Sequence, residues 1–359
     1  MTIFRPFVLA SALSLGWLGY SQAQLPGPLR LCTRNQIENL NGTLAGQVLD
    51  YTYNHRVDRR ICSASLGEKR DLYVYLPPGY DPSKSYPLMI WMHGFGQDEK
   101  NFLDIVGHFD KGMRCGTMPP MIVAVPDGSI QGQPAFFNTG SFYINSKAGR
   151  FEDWIMQDVW NFMHANFPIL PGKESHVMAG ASMGGFGAVN LGIKHRDRVG
   201  VVVGLMPPLN IRYGDCNGHY FGDFDPSCTP LDDRLRPNAA VARFYGWYGV
   251  YVVRKRRITD PLFGRGPDAI AQIAADNPIE MLDSRRLQPG ELQIYVGYGK
   301  KDEFNIDAQV ESFLHQARTR GIEVTAYVNP NGRHNTETGL TFYPTMSKWL
   351  TERVPVVSK

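Results

Sequence analysis

Three residue types spaced far apart in this chain, Ser182, Asp302 and His334, could together carry acyl-transfer chemistry. Ser182 lies in Gly180-Ala181-Ser182-Met183-Gly184, a GxSxG pattern. The apolar run "SHVMAG" precedes it and the small-residue run "MGGFGAVNLGIKH" follows. That context is a strand turning sharply into a helix, where small neighbours let the backbone pass and leave the hydroxyl exposed. A helix starting there also points free N–H groups and the positive end of its dipole at the reacting centre. The competing reading is an ordinary tight turn, so the serine needs partners before it counts as a nucleophile.

A serine hydroxyl attacks poorly without a base. Where the nucleophile sits at such a turn, the acid and then the histidine follow it along the chain. Of the nine histidines, His195 ends the same helix as the serine, His219 lies in an irregular acidic stretch and His315 falls inside a helical pattern. His334 follows "VTAYVNPNGR", in the loop between the last strand and the last helix, and is the expected base. The acid is expected after the preceding strand, in "ELQIYVGYGKKDEF", which offers Asp302 and Glu303. Asp302 is preferred, and Asp307 falls further on, inside the next helix. A tetrahedral intermediate also needs two N–H donors for its oxyanion. Met183 supplies one from its backbone. The glycine loop "WMHGFGQDEKNF" supplies the other, from Phe95, with Gly94 as the neighbouring candidate.

The elements that must position these residues read as an α/β chain. "PLMIWMHG" and "PPMIVAVPDG" are short apolar runs with little alternation, as expected of central parallel strands covered on both faces. Strand and helix patterns then alternate from about Tyr86 to the end, through "FEDWIMQDVWNFMHANF", "RVGVVVGLMP", "ELQIYVGYG", "DAQVESFLHQARTRG", "EVTAYVNP" and "TFYPTMSKWLTERV". That order marks a mostly parallel sheet flanked by helices. Before it, "GQVLDYTYNHRVDRRICSASLGEKRDLYVYLPPGY" alternates apolar and polar residues, giving two or three antiparallel strands that end at Pro77-Pro78. From about Leu209 to Met281 the rhythm breaks. This stretch holds the acidic "GDCNGHYFGDFDPSCTPLDD", the aromatic "ARFYGWYGVYVVRKRR" and a helical "DAIAQIAADNPIEML", and is read as a lid-like insertion over the sheet edge within a single domain of residues 24–359.

The chain opens with Arg5, the apolar run "FVLASALSLGWLGY" and then "SQAQ", the pattern of a secretory signal peptide cleaved after Ala23. The apolar run falls short of the roughly 18 residues a membrane span needs, so a secreted or periplasmic location is expected, with no stable membrane span. Five cysteines, Cys32, Cys62, Cys115, Cys216 and Cys228, are compatible with disulfides there. Cys216 with Cys228 is the first expected bridge and Cys32 with Cys62 the second, leaving Cys115 over. The formal net charge of +3 gives no reason to expect nucleic acid. The basic run Arg254-Lys255-Arg256-Arg257 is read as a solvated face. Asp215, Asp223, Asp225, Asp232 and Asp233 are read as a solvated acidic loop, with a calcium site as the alternative. No metal or organic cofactor is required by the chemistry, and no residue is assigned to substrate binding.

As a set, "VYLPPGYDPSKSYPLMIWMHGFGQDEKNF", "FYINSKAGRFEDWI", "GASMGGFGA", "GKKDEF" and "GRHN" resemble the esterase D and antigen 85 group of α/β-hydrolases. That group includes S-formylglutathione hydrolases, feruloyl and acetyl xylan esterases, and enterochelin esterases. The resemblance runs from about Asp71 to Leu350, the insertion excepted. It implies Ser182 as nucleophile, Asp302 as acid, His334 as base and Phe95 as an oxyanion donor, with Tyr143, Asn145, Glu152 and Asp153 shaping the fold near the site. The expected activity is hydrolysis of a carboxylic ester, small or attached to a polysaccharide. Acyl transfer to a sugar is the alternative, with Tyr245, Trp247 and Tyr251 as stacking candidates. A non-catalytic binding protein on the same fold is the third reading.

Overall fold

The computed structural model describes residues 34–133, 140–246 and 249–355. The expected signal peptide, Cys32 and Trp247 lie outside these residues. The centre is an eight-stranded sheet. In chain order its strands are β1 (Gln47–Tyr51), β2 (Leu72–Leu76), β3 (Leu88–Met92), β4 (Ile122–Pro126), β5 (His176–Ala181) and, after helix α1 (Met183–Lys194), β6 (Val201–Leu205). The chain then leaves the sheet for a hairpin of β7 (Ala240–Gly246) and β8 (Gly249–Arg254), followed by helices α2 (Arg256–Phe263), α3 (Ala269–Asp276) and α4 (Pro278–Ser284). It returns through β9 (Gln293–Gly299), α5 (Ile306–Thr319), β10 (Val324–Asn329) and α6 (Tyr343–Thr351).

The spatial order is β1-β2-β4-β3-β5-β6-β9-β10. β1 with β2 and β2 with β4 are antiparallel; every other pair is parallel. The expected α/β class and the antiparallel N-terminal strands are therefore both present. The two further short hairpins of that region, Tyr53–Asn54 with Val57–Asp58 and Ile61–Ser63 with Glu68–Arg70, stand outside the main sheet.

Side chains along the central strands alternate between two separate cores. In β3, Leu88, Ile90 and Met92 face one core while Met89 and Trp91 face the other. Burial on both faces removes any need for a polar face, which is why these strands read as unbroken apolar runs. The first core is covered by α1, α4, α5 and the helical stretch from Phe151 to Asn166; the second by Phe102, Phe109 and the C-terminal Met346, Trp349 and Leu350.

One sequence expectation is corrected. "DAIAQIAADNPIEML" forms two helices, α3 and α4, broken at Asn277 with ψ 113°. Pro278 disfavours the helical conformation at the residue before it and is itself well placed at the first turn of a new helix.

Candidate active site

Ser182 connects β5 to α1 with φ 54° and ψ −118°, a left-handed conformation that costs a non-glycine residue of order 1–3 kcal/mol. Its neighbours over-determine it. The Ser182 N–H donates to the Leu205 carbonyl on β6 at 2.8 Å, and Phe186 N–H donates to the Ser182 carbonyl at 2.9 Å. A Cβ on Gly184 would overlap the Met92 carbonyl, and one on Gly180 would come within 2.6 Å of Gly184. The glycines of the motif are thus required by backbone passing backbone.

His334 and Asp302 reach the same point from other strands. Asp302 follows the end of β9 and His334 the end of β10, so the whole constellation stands at the C-terminal edge of the parallel strands, where ligands bind in such sheets. His334 Nε2 lies 2.8 Å from Ser182 Oγ, and its Nδ1 lies 2.6 Å from Asp302 Oδ2. Both side chains are almost fully buried, at 3% and 0%. Burial alone would push the imidazole pKa down, but the Asp302 carboxylate beside it prevails and holds it above the ordinary value. Asp302 Oδ1 accepts the Phe304 N–H at 2.9 Å, so each carboxylate oxygen has a partner.

Glu303, the other acid of the "KKDEF" turn, makes a different contact. Its carboxylate accepts the His334 backbone N–H at 2.9 Å and pairs with Arg333 at 2.6 Å. It fastens the histidine loop instead of touching the ring. The Phe304 ring packs on His334 at a centroid distance of 4.8 Å. Asp307 lies within α5 and pairs with Lys300. The excluded histidines are occupied elsewhere: His195 with Glu152, His219 with Asp215, and His315 with the Phe224 ring.

The glycine loop after β3 folds over the serine, with Gly94 positioned so that an added Cβ would sit 3.6 Å from Ser182 Cβ. The Gly94 N–H is already committed to Gln97 Oε1 at 2.8 Å. That separates the two oxyanion candidates, because among the described residues neither the Phe95 nor the Met183 amide has a protein acceptor.

A buried polar frame supports the loop, and of its members the sequence reading singles out only Tyr143. His93 Nδ1 donates to the Gly94 carbonyl at 2.9 Å while Nε2 accepts the Gly128 N–H at 2.8 Å. Tyr143 donates to the His93 carbonyl at 3.1 Å. Beneath them Arg70 pairs with Asp127 at 2.8 Å. Of the four residues expected to shape the fold, Tyr143 therefore braces the loop directly. Asn145 accepts the Asp153 N–H, and Glu152 is held by Lys194 and His195.

Beside Ser182 opens a mostly apolar pocket of about 200 Å³. Phe95, Phe142 and Phe186 line it from the side of the central sheet and α1, and Phe244, Tyr251 and Lys255 from the segment between β6 and β9. Phe244 meets Phe304 at 5.7 Å, so the hairpin touches the ring that packs on His334. The reading of the basic run as a solvated face is corrected at one residue: Arg254, Arg256 and Arg257 are exposed, Arg257 at the pocket's rim, but Lys255 is half-buried in the pocket wall. The strand ends at Arg254 and a helix begins at Arg256, so Lys255 stands at the junction between them, where the chain changes direction.

Cys216 and Cys228 form the first expected disulfide. Cys62 and Cys115 are exposed free thiols, and the second expected bridge required Cys32, outside the described residues. In the acidic loop, Asp215 and Asp225 accept backbone N–H groups of Asn217 and Ser227, and Asp232 pairs with Arg236. Among the described residues no helix is long and apolar enough to cross a membrane.

The chain is similar to S-formylglutathione hydrolase of Arabidopsis thaliana, 25% identical over 178 residues, a match covering 45% of this chain and 61% of the plant protein. The matched part thus spans less than two thirds of that relative. Among solved structures, it resembles a ferulic acid esterase (TM-score 0.62, 16% identity, 86% of this chain and 99% of that one). It also resembles an S-formylglutathione hydrolase from Agrobacterium tumefaciens (TM-score 0.61, 15% identity, 87% and 97%). At those identities the structural likeness speaks for the fold alone, the α/β-hydrolase arrangement of a mostly parallel eight-stranded sheet flanked by helices. Family membership rests on the sequence: the model described as "Putative esterase" matches residues 63–347, a span that holds the serine turn, the acid turn and the histidine loop, and the chain belongs to that esterase family.

Proposed function

We propose that this protein is a serine esterase that hydrolyses carboxylic esters, with Ser182 as nucleophile, His334 as general base and Asp302 as its orienting acid. The observation that carries the reading is the unbroken line from Asp302 through His334 to Ser182, ending at a strained serine that faces an apolar pocket. Neutral His334, with its proton on Nδ1 toward Asp302, takes the Ser182 proton as the hydroxyl attacks the ester carbonyl. The Phe95 and Met183 amides receive the developing oxyanion, and His334 returns its proton to the departing alcohol. Water then repeats the sequence on the acyl-enzyme and frees the acid.

Residues from about 209 to 281 act in this reading as an insertion that completes the substrate pocket of one hydrolase domain. The three phenylalanines on the core side favour an acyl or alcohol group with an apolar, aromatic body. The Arg5-led apolar start followed by "SQAQ" and the Cys216–Cys228 bridge support export.

The test is initial-rate hydrolysis of short p-nitrophenyl esters and methyl ferulate by wild type beside Ser182→Ala. Turnover that falls at least about 1,000-fold in the variant is expected. Equal rates in both proteins would remove Ser182 from the mechanism.

A further inference from the structure

The pocket that opens beside Ser182 is apolar over most of its wall, yet two of its lining residues, Lys255 and Arg257, are basic. No aspartate or glutamate lines it. Lys255 is half-buried, and among the described residues no carboxylate pairs with its ammonium: Asp232 acts on it only at longer range, and Asp232 is itself paired with Arg236. Arg257 is exposed, at the same pocket, beside Tyr251. A lysine drawn from water into an apolar wall without a counter-ion is unfavourable, and an anion supplied by a ligand offsets that cost. Desolvation already lowers the Lys255 pKa, in keeping with an ammonium that lacks a partner.

Resting on the esterase reading above, we propose that the pocket selects esters that carry a second, ionised acid group, with Lys255 binding that anion and Arg257 drawing it toward the pocket from the exposed side. The aromatic lining would hold the body of such a substrate while the ester carbonyl meets Ser182. A carboxylate is the group assigned, on either the acyl or the alcohol side of the ester. This makes Lys255 and Arg257 determinants of specificity, separate from the residues that perform the chemistry.

The test is direct binding to Ser182→Ala, which measures recognition whether or not Ser182 is the nucleophile. Two ester and amide pairs of equal shape are titrated by calorimetry: monomethyl terephthalate against methyl 4-carbamoylbenzoate, with the anion on the acyl side, and 4-acetoxybenzoate against 4-acetoxybenzamide, with it on the alcohol side. In at least one pair the anion is expected to bind about tenfold more tightly than its amide. Adding Lys255→Met should remove most of that difference, Lys255→Arg should retain it, and raising the salt should shrink it. Anion and amide binding equally in both pairs, or a difference that survives Lys255→Met, would overturn the proposal. Hydrolysis of the amide-bearing esters by wild type reports separately on the esterase reading, so equal binding together with turnover would reject anion selection and leave the serine esterase standing.

Discussion

At the scale of single residues, the decisive contact is between His334 and Asp302. The carboxylate fixes the Nδ1 proton, leaves Nε2 free to accept from Ser182 and raises the imidazole pKa above its ordinary value of about 6.5. Only the neutral ring can accept the serine proton. Activity should therefore rise with pH through a midpoint above about 6.5 and be lost below it, as the ring becomes protonated. In Asp302→Asn the larger favourable charge is gone and burial is opposed only by the smaller pull of Glu303, so the midpoint of the kcat/KM profile should move down. Its plateau should fall about 1,000-fold to 10,000-fold, because the orienting acid is lost. A profile that keeps its midpoint in the variant would show that some other group titrates. Glu303 is the instructive neighbour. It was a candidate for the same role, and two acids side by side on a turn cannot be told apart by type. The fold assigns one to the ring and the other to the backbone N–H of the same histidine.

At the scale of elements, the serine turn depends on the close passage of β5, α1 and the end of β3. Gly184 lies against the Met92 carbonyl and Gly180 against Gly184 itself. Ala at position 184 has nowhere to place its Cβ, because the obstructing atoms are backbone and cannot rotate away. Gly184→Ala should cost at least about 2 kcal/mol, read as a lowered denaturation midpoint. A variant as stable as wild type would mean that this passage is looser than described. The same element shows why the motif was legible in the sequence: a strand-to-helix turn at this spacing demands small residues whatever the surroundings. The loop frame was legible only at Tyr143, through the family resemblance. His93, Arg70, Asp127 and Tyr143 are spread over residues 70–143 and converge only through the sheet. Lys255 was hidden for a related reason, since a run of four basic residues does not reveal which of them turns inward when a strand gives way to a helix.

Across the whole molecule, the alternation of strands and helices around a mostly parallel sheet was legible because burial on both faces leaves its mark as short apolar runs. The segment between β6 and β9 was not, because its shape depends on contacts with the rest of the chain, such as the hairpin touching Phe304; only its helix break at Asn277 follows locally, from Pro278. The Cys216–Cys228 bridge closes a loop with a sequence separation of 12 in this segment. Constraining a loop of that size contributes about 2–3 kcal/mol. Replacing both cysteines with serine should lower the melting temperature. If the segment shapes the pocket, the change should raise KM more than it lowers kcat; an unchanged KM would separate the bridged loop from substrate binding.

The central claim, that Ser182 is a nucleophile activated by His334, is tested most directly by labelling with a fluorophosphonate and locating the adduct by peptide mass spectrometry. The account predicts one modified site, Ser182, formed rapidly in wild type and at least about 100-fold more slowly in His334→Ala. An adduct on another residue, or labelling of Ser182 that is indifferent to His334, would contradict it.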